Sequence, residues 1–142
     1  ASCDMAVAAT GTRFGVNGVN IGLFCSTPMV ALSRNIPRKQ AFEMLSTGAF
    51  IDTARAMEVG LINRAVAPDD LGAEAMALAE TVAGKLTAAV RIGKAAFYNQ
   101  IEMPVEEAYA YTGDVMVQNL MLSETEEGIR AFIEKREPDW PD

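Results

Sequence analysis

Residues 37–71 read PRKQAFEMLSTGAFIDTARAMEVGLINRAVAPDDL, and this stretch decides the fold class. Pro37 suits the first position of a helix, where no N–H donor is needed, and Gly48 suits the residue that ends that helix. Asp52 can cap a second helix, which the next glycine ends, because a carboxylate accepts hydrogen bonds from unpaired N–H groups. The run LINRAVA then reads as a strand. Together with the strands and turns before this stretch and the helices after it, the pattern predicts an α/β chain with strands first and helices after.

The residues before this stretch predict strands and turns. Residues 3–9, CDMAVAA, form a short apolar run that suits a buried strand, and residues 13–15, RFG, predict a second short strand. Residues 17–23, NGVNIGL, carry two glycines and two asparagines, which favour turns and close approach of the backbone. Residues 29–35, MVALSRN, predict a short apolar helix.

The residues after this stretch predict four helices. The acidic pair at 69–70 opens the first, where carboxylates complement the positive end of the helix dipole. Residues 86–100 form the second, the third begins at Pro104, and the fourth opens with Ser123 and Glu126 at capping-box spacing. The apolar positions are Leu71, Ala75, Leu78 and Val82 in the first, Val105, Tyr109, Thr112, Val115 or Met116, and Leu120 in the third, and Ile129, Phe132 and Ile133, expected to be buried, in the fourth.

Composition and charge exclude several functions. The chain has 142 residues, 12 basic and 19 acidic, and its net charge of −7 repels phosphate backbones, so no nucleic-acid partner is expected. It has no histidine, which excludes histidine triads and histidine metal clusters. Cys3 and Cys25 show no metal or disulfide spacing and read as buried thiols of a reducing compartment. No stretch approaches the ~20 apolar residues of a membrane span. We expect a cytoplasmic protein, with an organellar matrix as the alternative.

Four stretches, in order, carry a resemblance to a known family. Residues 1–9, ASCDMAVAA, are similar to its (A/S)-x-CD-x-x-x-A strand, and residues 12–23, TRFGVNGVNIGL, to its A-x-FG-x-P-E-x-x-x-G-L segment. Residues 37–71 are similar to its A-x-E-x-x-x-TG segment and the residues beyond it. Residues 127–140, EGIRAFIEKREPDW, are similar to its terminal EG-x-x-AF-x-x-KR-x-P-x-(W/F). The ordered set resembles the crotonase superfamily, the enoyl-CoA hydratase/isomerase family.

The resemblance implies a fold, a substrate class and a partner. Residues 1–67 would form the end of a crotonase-type β-β-α spiral, an α/β fold, and residues 68–142 a helical region that covers the core and forms a homo-trimer or hexamer. The family binds acyl-coenzyme A thioesters as substrates, with no separate cofactor or metal, and polarises the thioester carbonyl with two backbone N–H groups. Each such fixed donor contributes about 10²–10³ in rate. In hydratases, two glutamates handle the water and the proton.

Several of these family groups are missing from the sequence. Gly18 stands where the second glutamate is expected, Asn17 where the proline before it is expected, and Ser26 where some members place an acid instead. The resemblance places both oxyanion donors and the first glutamate before Ala1, so we expect this chain to be the C-terminal part of something longer. Loss of an acid–base group typically reduces a rate by ~10²–10⁴. We predict no useful hydratase activity from the chain alone.

Three functions therefore stay open. The first is an enoyl-CoA hydratase/isomerase-family enzyme whose chemistry needs fewer acids than hydration does. The second is a non-catalytic acyl-CoA-binding or assembly protein on the same scaffold, which the glycine at position 18 favours. The third is a purely helical interaction module, which coenzyme A would not stabilise.

Candidate substrate-binding residues surround the glycine at position 18. Gly18 either makes a turn or close approach that only glycine allows, or widens the pocket for another acyl group or a water. Gly22 is expected to pack tightly against a strand. By resemblance, residues at the start of the following helix line the acyl tunnel, with general pocket walls as the alternative. They are Phe24, Cys25, Ser26 and Met29. No histidine is present to activate a cysteine nucleophile.

The C-terminal residues supply the remaining candidates. By resemblance, Lys135, Arg136 and Trp140 lie where the family's last helix reaches the adenine and phosphates of coenzyme A. Basic side chains suit phosphates, and an indole can stack on a purine. The alternative is a solvated basic turn in which Trp140 is a packing anchor.

Overall fold

Two short parallel strands pair in the N-terminal unit, Ala1–Leu78, of the computed structural model, which describes residues 1–140. Strand β1, Val7–Ala9, pairs with β2, Arg64–Val66, and Val7 lies opposite Arg64. Parallel strands need a long crossover connection, which the intervening helices provide. Both strands lie within the runs that the sequence predicted.

Three helices connect the two strands: α1, Pro28–Asn35; α2, Arg38–Thr47; and α3, Thr53–Glu58. Their ends follow the predicted signals. Gly48 ends α2 in the left-handed conformation, with φ of 63°, and the Asp52 carboxylate accepts a hydrogen bond of 2.8 Å from the backbone N–H of Arg55. The predicted helices are therefore confirmed, with Pro37 lying one residue before α2 as its N-cap.

Two predictions for the first residues are wrong in detail. Residues 13–15 do not form a strand; Phe14 instead makes one isolated antiparallel bridge with Ile51, with two N–H to O hydrogen bonds of 2.9 Å. Cys3 is exposed and Cys25 is half-buried, so neither is the buried thiol that composition predicted. Only Phe14 of residues 13–15 pairs with another segment, so the pairing stops at a single bridge.

The core of the N-terminal unit consists of two apolar clusters. The larger lies mainly on α1 and α2, and the smaller lies beneath the sheet and α3. Their buried members are Leu32, Ile36, Ala41, Met44, Leu45 and Val59 in the larger, and Ala8, Ala56 and Ile62 in the smaller. Val16, Cys25 and Met29 pack against the larger cluster, which fixes the segment between β1 and α1 on α2.

Helices make up the rest of the chain. Helix α4, Leu71–Ala83, follows a 3₁₀ turn at Pro68–Asp70. The C-terminal unit, from Ala79 onward, adds three predicted helices, α5, Thr87–Gln100, α6, Val105–Leu120, and α7, Ser123–Glu134. None of the helices in residues 1–140 is both long and apolar enough to cross a membrane. The predicted roles of residues 1–67 and 68–142 stay predictions, and positions 141–142 lie outside the described residues.

Two expectations for α7 are wrong. Ser123 is the first helical residue rather than the cap, and its hydroxyl donates to the Glu124 carboxylate at 2.8 Å. The apolar positions Ile129, Phe132 and Ile133 are exposed, Phe132 to 84%. Apolar periodicity shows that a face is suited to burial, but it does not supply the partner that would bury it.

Candidate functional site

Gly18 lies in a 3₁₀ turn, Asn17–Ile21, between β1 and α1. Its φ is not positive, so a left-handed backbone does not explain the glycine. Close approach does: a Cβ built on Gly18 would lie 2.5 Å from the carbonyl oxygen of Leu23 and 2.6 Å from the Sγ of Cys25. The space beside the glycine is filled by the chain's own atoms, so the glycine adds no free volume at that point.

The 3₁₀ turn contacts the end of α2 at one glycine, and the residues just before the turn contact Phe50 at another. Asn20 reaches over the end of α2, where a Cβ on Gly48 would lie 2.7 Å from its side-chain oxygen. Gly15 passes over Phe50, whose ring atoms would lie 2.8 Å from a Cβ at that position. The guanidinium of Arg13 covers the same ring at 4.9 Å from its centroid. These contacts fix the backbone that carries Gly18.

The residues after the turn are arranged differently from the prediction. Gly22 is not packed against a strand; its φ is 79°, it caps the 3₁₀ turn, and no atom lies within 4 Å of a Cβ built there. Phe24 and Ser26 are exposed and precede α1, which begins at Pro28. Ser26 donates from its backbone N–H and its hydroxyl to the carbonyl of Phe24, at 2.8 and 3.3 Å. Met29 is half-buried on the core.

The C-terminal candidates lie on a tail that folds back along α7. Lys135 ends the helix in the left-handed conformation, with φ of 55°, and its side chain is exposed. Arg136 then donates two hydrogen bonds to the Glu127 carboxylate, at 2.6 and 3.0 Å, and one to Glu134 at 2.6 Å. The guanidinium that was expected to meet phosphates is therefore engaged by two carboxylates of α7, the helix that precedes it.

Trp140 is half-buried over Gly128, where a Cβ would lie 2.9 Å from its ring. The indole lines a pocket of about 420 Å³ within the C-terminal unit. Lys85 also lines this pocket, whereas Lys135 does not. The packing role of Trp140 is thus observed, and the pocket leaves one face of the unit open beside an indole and an ammonium group. Sequence reasoning missed Lys85, for which the only signal was a basic residue after a helix-ending glycine.

The Glu127–Arg136 pair has a clear electrostatic signature. Hydrogen bonds from the Arg136 side chain, and then from the backbone N–H of Asp139 at 3.1 Å, lower the pKa of Glu127 from 4.5 to about 2. The hydrogen bonds that Arg136 donates to Glu127 and then to Glu134 raise the pKa of its guanidinium. The hydrogen bond with its own backbone and that from Ser123 lower the pKa of Glu124. The tail is held by an ion pair that persists at neutral pH.

The docking of this tail is expected to depend on acid pH. Because the pKa of Glu127 is lower in the folded chain, its contribution is complete above about pH 4.5 and is lost as the pH falls to about 2. Trp140 is the only tryptophan, so its fluorescence reports the release of the tail over this range. Glu127→Gln has no carboxylate at position 127, so the change in Trp140 emission that comes from Glu127 between about pH 4.5 and 2 should be absent. An emission spectrum that changes identically in both proteins would contradict the prediction.

The candidates thus fall into two groups. Gly18, Gly22, Phe24, Cys25, Ser26 and Met29 lie together on the N-terminal unit, and Lys135 and Trp140 lie on the C-terminal unit. No group of three or more Cys, Asp or Glu residues within 1–140 is placed to hold a metal ion. Residues 13–29 contain no carboxylate, so this segment can offer backbone groups, a thiol and a hydroxyl, but no acid.

Comparison with known proteins identifies the class. The family model of enoyl-CoA hydratase/isomerase matches residues 1–142. The chain belongs to the enoyl-CoA hydratase/isomerase family, within the crotonase superfamily.

Particular relatives are similar over nearly the whole chain. It is 47% identical over 140 residues to enoyl-CoA hydratase domain-containing protein 3, mitochondrial, of Mus musculus, covering 99% of this chain and 47% of that protein. The crystal structure of an enoyl-CoA hydratase of Mycobacterium smegmatis is 53% identical, with a TM-score of 0.93, covering 97% of this chain and 54% of that one. The crystal structure of human enoyl-CoA hydratase domain-containing protein 3 is 46% identical, with a TM-score of 0.92, covering 98% of this chain and 55% of that one. The crotonase-type α/β fold is confirmed, and the chain spans about half the length of the curated relatives it matches.

Proposed function

We propose that this chain is the C-terminal part of a crotonase-type protein that binds acyl-CoA thioesters. The family match over residues 1–142 carries this proposal. Enolate stabilisation would use backbone donors from the part of the fold that lies before the matching segment in the family. The turn with Gly18 and the exposed Phe24 would form one wall for the acyl group. Within the C-terminal unit taken by itself, Lys85 and Trp140 offer a cation and a stacking surface, which suit a nucleotide.

The reaction proposed here does not include hydration by this chain alone. Neither Gly18 nor Ser26 carries the acid that would direct water or a proton, and residues 13–29 supply no substitute. Backbone donors can still stabilise an enolate, because they act on the thioester carbonyl rather than on the water. The first candidate function is therefore an enzyme whose reaction needs fewer acidic side chains than hydration does, with the backbone donors supplied by the rest of the fold.

A non-catalytic acyl-CoA-binding or assembly protein is the second candidate. The specific observation in its favour is the filled space beside Gly18, which leaves no room for an acid. The exposed apolar face of α7 is compatible with a homo-trimer or hexamer formed through the C-terminal helices. Cytoplasmic location stays a prediction, and the mitochondrial names of the animal relatives favour the organellar alternative.

Crotonyl-CoA is expected to raise the melting temperature of the protein produced from its natural gene. A ligand at about 100 times its dissociation constant stabilises the folded state by ~2.7 kcal/mol. Thermal melts with crotonyl-CoA, free coenzyme A and no ligand measure this shift. Turnover of crotonyl-CoA would favour the enzyme, and binding without turnover would favour the second candidate.

Intact-mass spectrometry of the same sample provides the control. A species heavier than 15.2 kDa, or a second fragment that purifies with it, would show that the melted sample contains more of the fold than these 142 residues. The 142-residue chain, expressed alone, is compared beside it. Melts that neither coenzyme A ligand shifts in the heavier species would reject acyl-CoA binding and favour a helical interaction module.

A further inference from the structure

Both groups that fill the space beside Gly18 are held in place. The Leu23 N–H donates to the Gly18 carbonyl at 3.0 Å, and the Gly22 N–H donates to the Val19 carbonyl at 3.1 Å, which ties Leu23 back onto the turn. The backbone of Cys25 is also held, because its carbonyl accepts a hydrogen bond of 3.1 Å from the N–H of Met29 in α1. A side chain at position 18 could fit only if these contacts changed together.

The thiol has a second attachment. Cys25 is half-buried and packs against the larger core cluster, whose members Leu32, Met44 and Leu45 are 5% exposed or less. Its sulfur thus connects the core to the turn that carries Gly18. Close-packed interiors resist such local shifts, because neighbouring side chains have no free volume to take up.

We infer that Cys25 is a positioning residue of the acyl-CoA site. Its thiol and the Leu23 carbonyl hold the Asn17–Ile21 turn in a form that admits only glycine at position 18. This inference rests on the proposed function and deepens it. With the acid position closed by the fold itself, the substrate class is acyl-CoA thioesters that are bound or converted without addition of water.

Four variants of the natural gene product test this inference. Gly18→Ala is expected to lower the melting temperature by roughly 2–12 °C, because the new methyl group meets the Leu23 carbonyl of the backbone. Gly18→Ala combined with Cys25→Ala should recover part of that loss, since the sulfur contact is gone while the Leu23 carbonyl remains. Gly18→Glu should gain no hydration of crotonyl-CoA. Gly72→Ala is the matched control, because no atom lies within 4 Å of a Cβ there, and it should melt no lower than the wild type.

Ligand affinity separates positioning from a purely structural role. Cys25→Ala should weaken binding of crotonyl-CoA severalfold relative to free coenzyme A, and Cys25→Ser should restore most of it. If the wild type binds no crotonyl-CoA, the proposed function itself fails. If the wild type binds but Gly18→Ala melts like the control, if Gly18→Glu hydrates crotonyl-CoA, or if the Cys25 variants bind normally, only this inference is overturned.

Discussion

Replacing Leu45 by alanine is expected to lower the free energy of unfolding by about 2–5 kcal/mol. Leu45 is 2% exposed and lies in the larger core cluster with Leu32 and Met44. Truncation removes buried apolar surface and leaves a cavity that the surrounding helices fill only in part. Since Cys25 packs on the same cluster, the loss should also loosen the segment beside Gly18. Urea unfolding followed by circular dichroism measures the change.

Phe42→Ala is the matched control for this prediction. Phe42 lies on the same helix, α2, but is 66% exposed, so its removal takes little surface out of the core. Its effect should remain within about 0.5 kcal/mol. Equal losses in both variants would show that burial in the core does not set the cost of truncating a side chain of α2, because alanine is itself the best helix former. A large loss of unfolding free energy in Phe42→Ala alone would show that another chain or segment covers the Phe42 ring in solution.

Helix ends were predictable from sequence because their causes are local. Gly48 ends α2 through its own φ, and Asp52 caps α3 through a hydrogen bond three residues away. The capping box at Ser123 is absent for a similarly local reason: the helix begins at Ser123 itself, so the N-cap is Leu122, which has no side-chain oxygen to accept from the first N–H groups. Residue type and spacing show that a cap can form, but not at which residue the helix begins.

The candidate site was predictable only in part. The missing acid at Gly18 is visible in the sequence, whereas the filling of its space by Leu23 and Cys25 depends on how the turn folds. The tail shows the same limit. The left-handed turn at Lys135 reverses the chain and brings Arg136 onto Glu127, nine residues earlier. The terminal stretch that carried the family resemblance thus pairs with itself, which its residue types did not reveal.

Gly48→Ala is expected to destabilise the chain more than Gly60→Ala. Both glycines have positive φ, 63° and 78°, so each substitution incurs a left-handed backbone cost of about 1–2 kcal/mol. No atom lies within 4 Å of a Cβ on Gly60, but a Cβ on Gly48 would meet the Asn20 side chain at 2.7 Å. Gly60→Ala therefore measures the backbone cost alone. The excess in Gly48→Ala measures the contact with Asn20.

Asn20→Ala decides whether that contact holds the turn on α2. Residues in contact show interaction energies of about 0.5–3 kcal/mol, so Asn20→Ala should relieve the excess loss in Gly48→Ala but leave Gly60→Ala unchanged. Urea unfolding of the singles and both doubles completes the cycle. Because Asn20 belongs to the same 3₁₀ turn as Gly18, a positive result also means that the end of α2 sets the position of the candidate acyl-CoA wall. Additive losses in the Gly48 cycle would mean that other contacts hold the turn, namely its own hydrogen bonds and the packing of Val16, Cys25 and Met29 on the core.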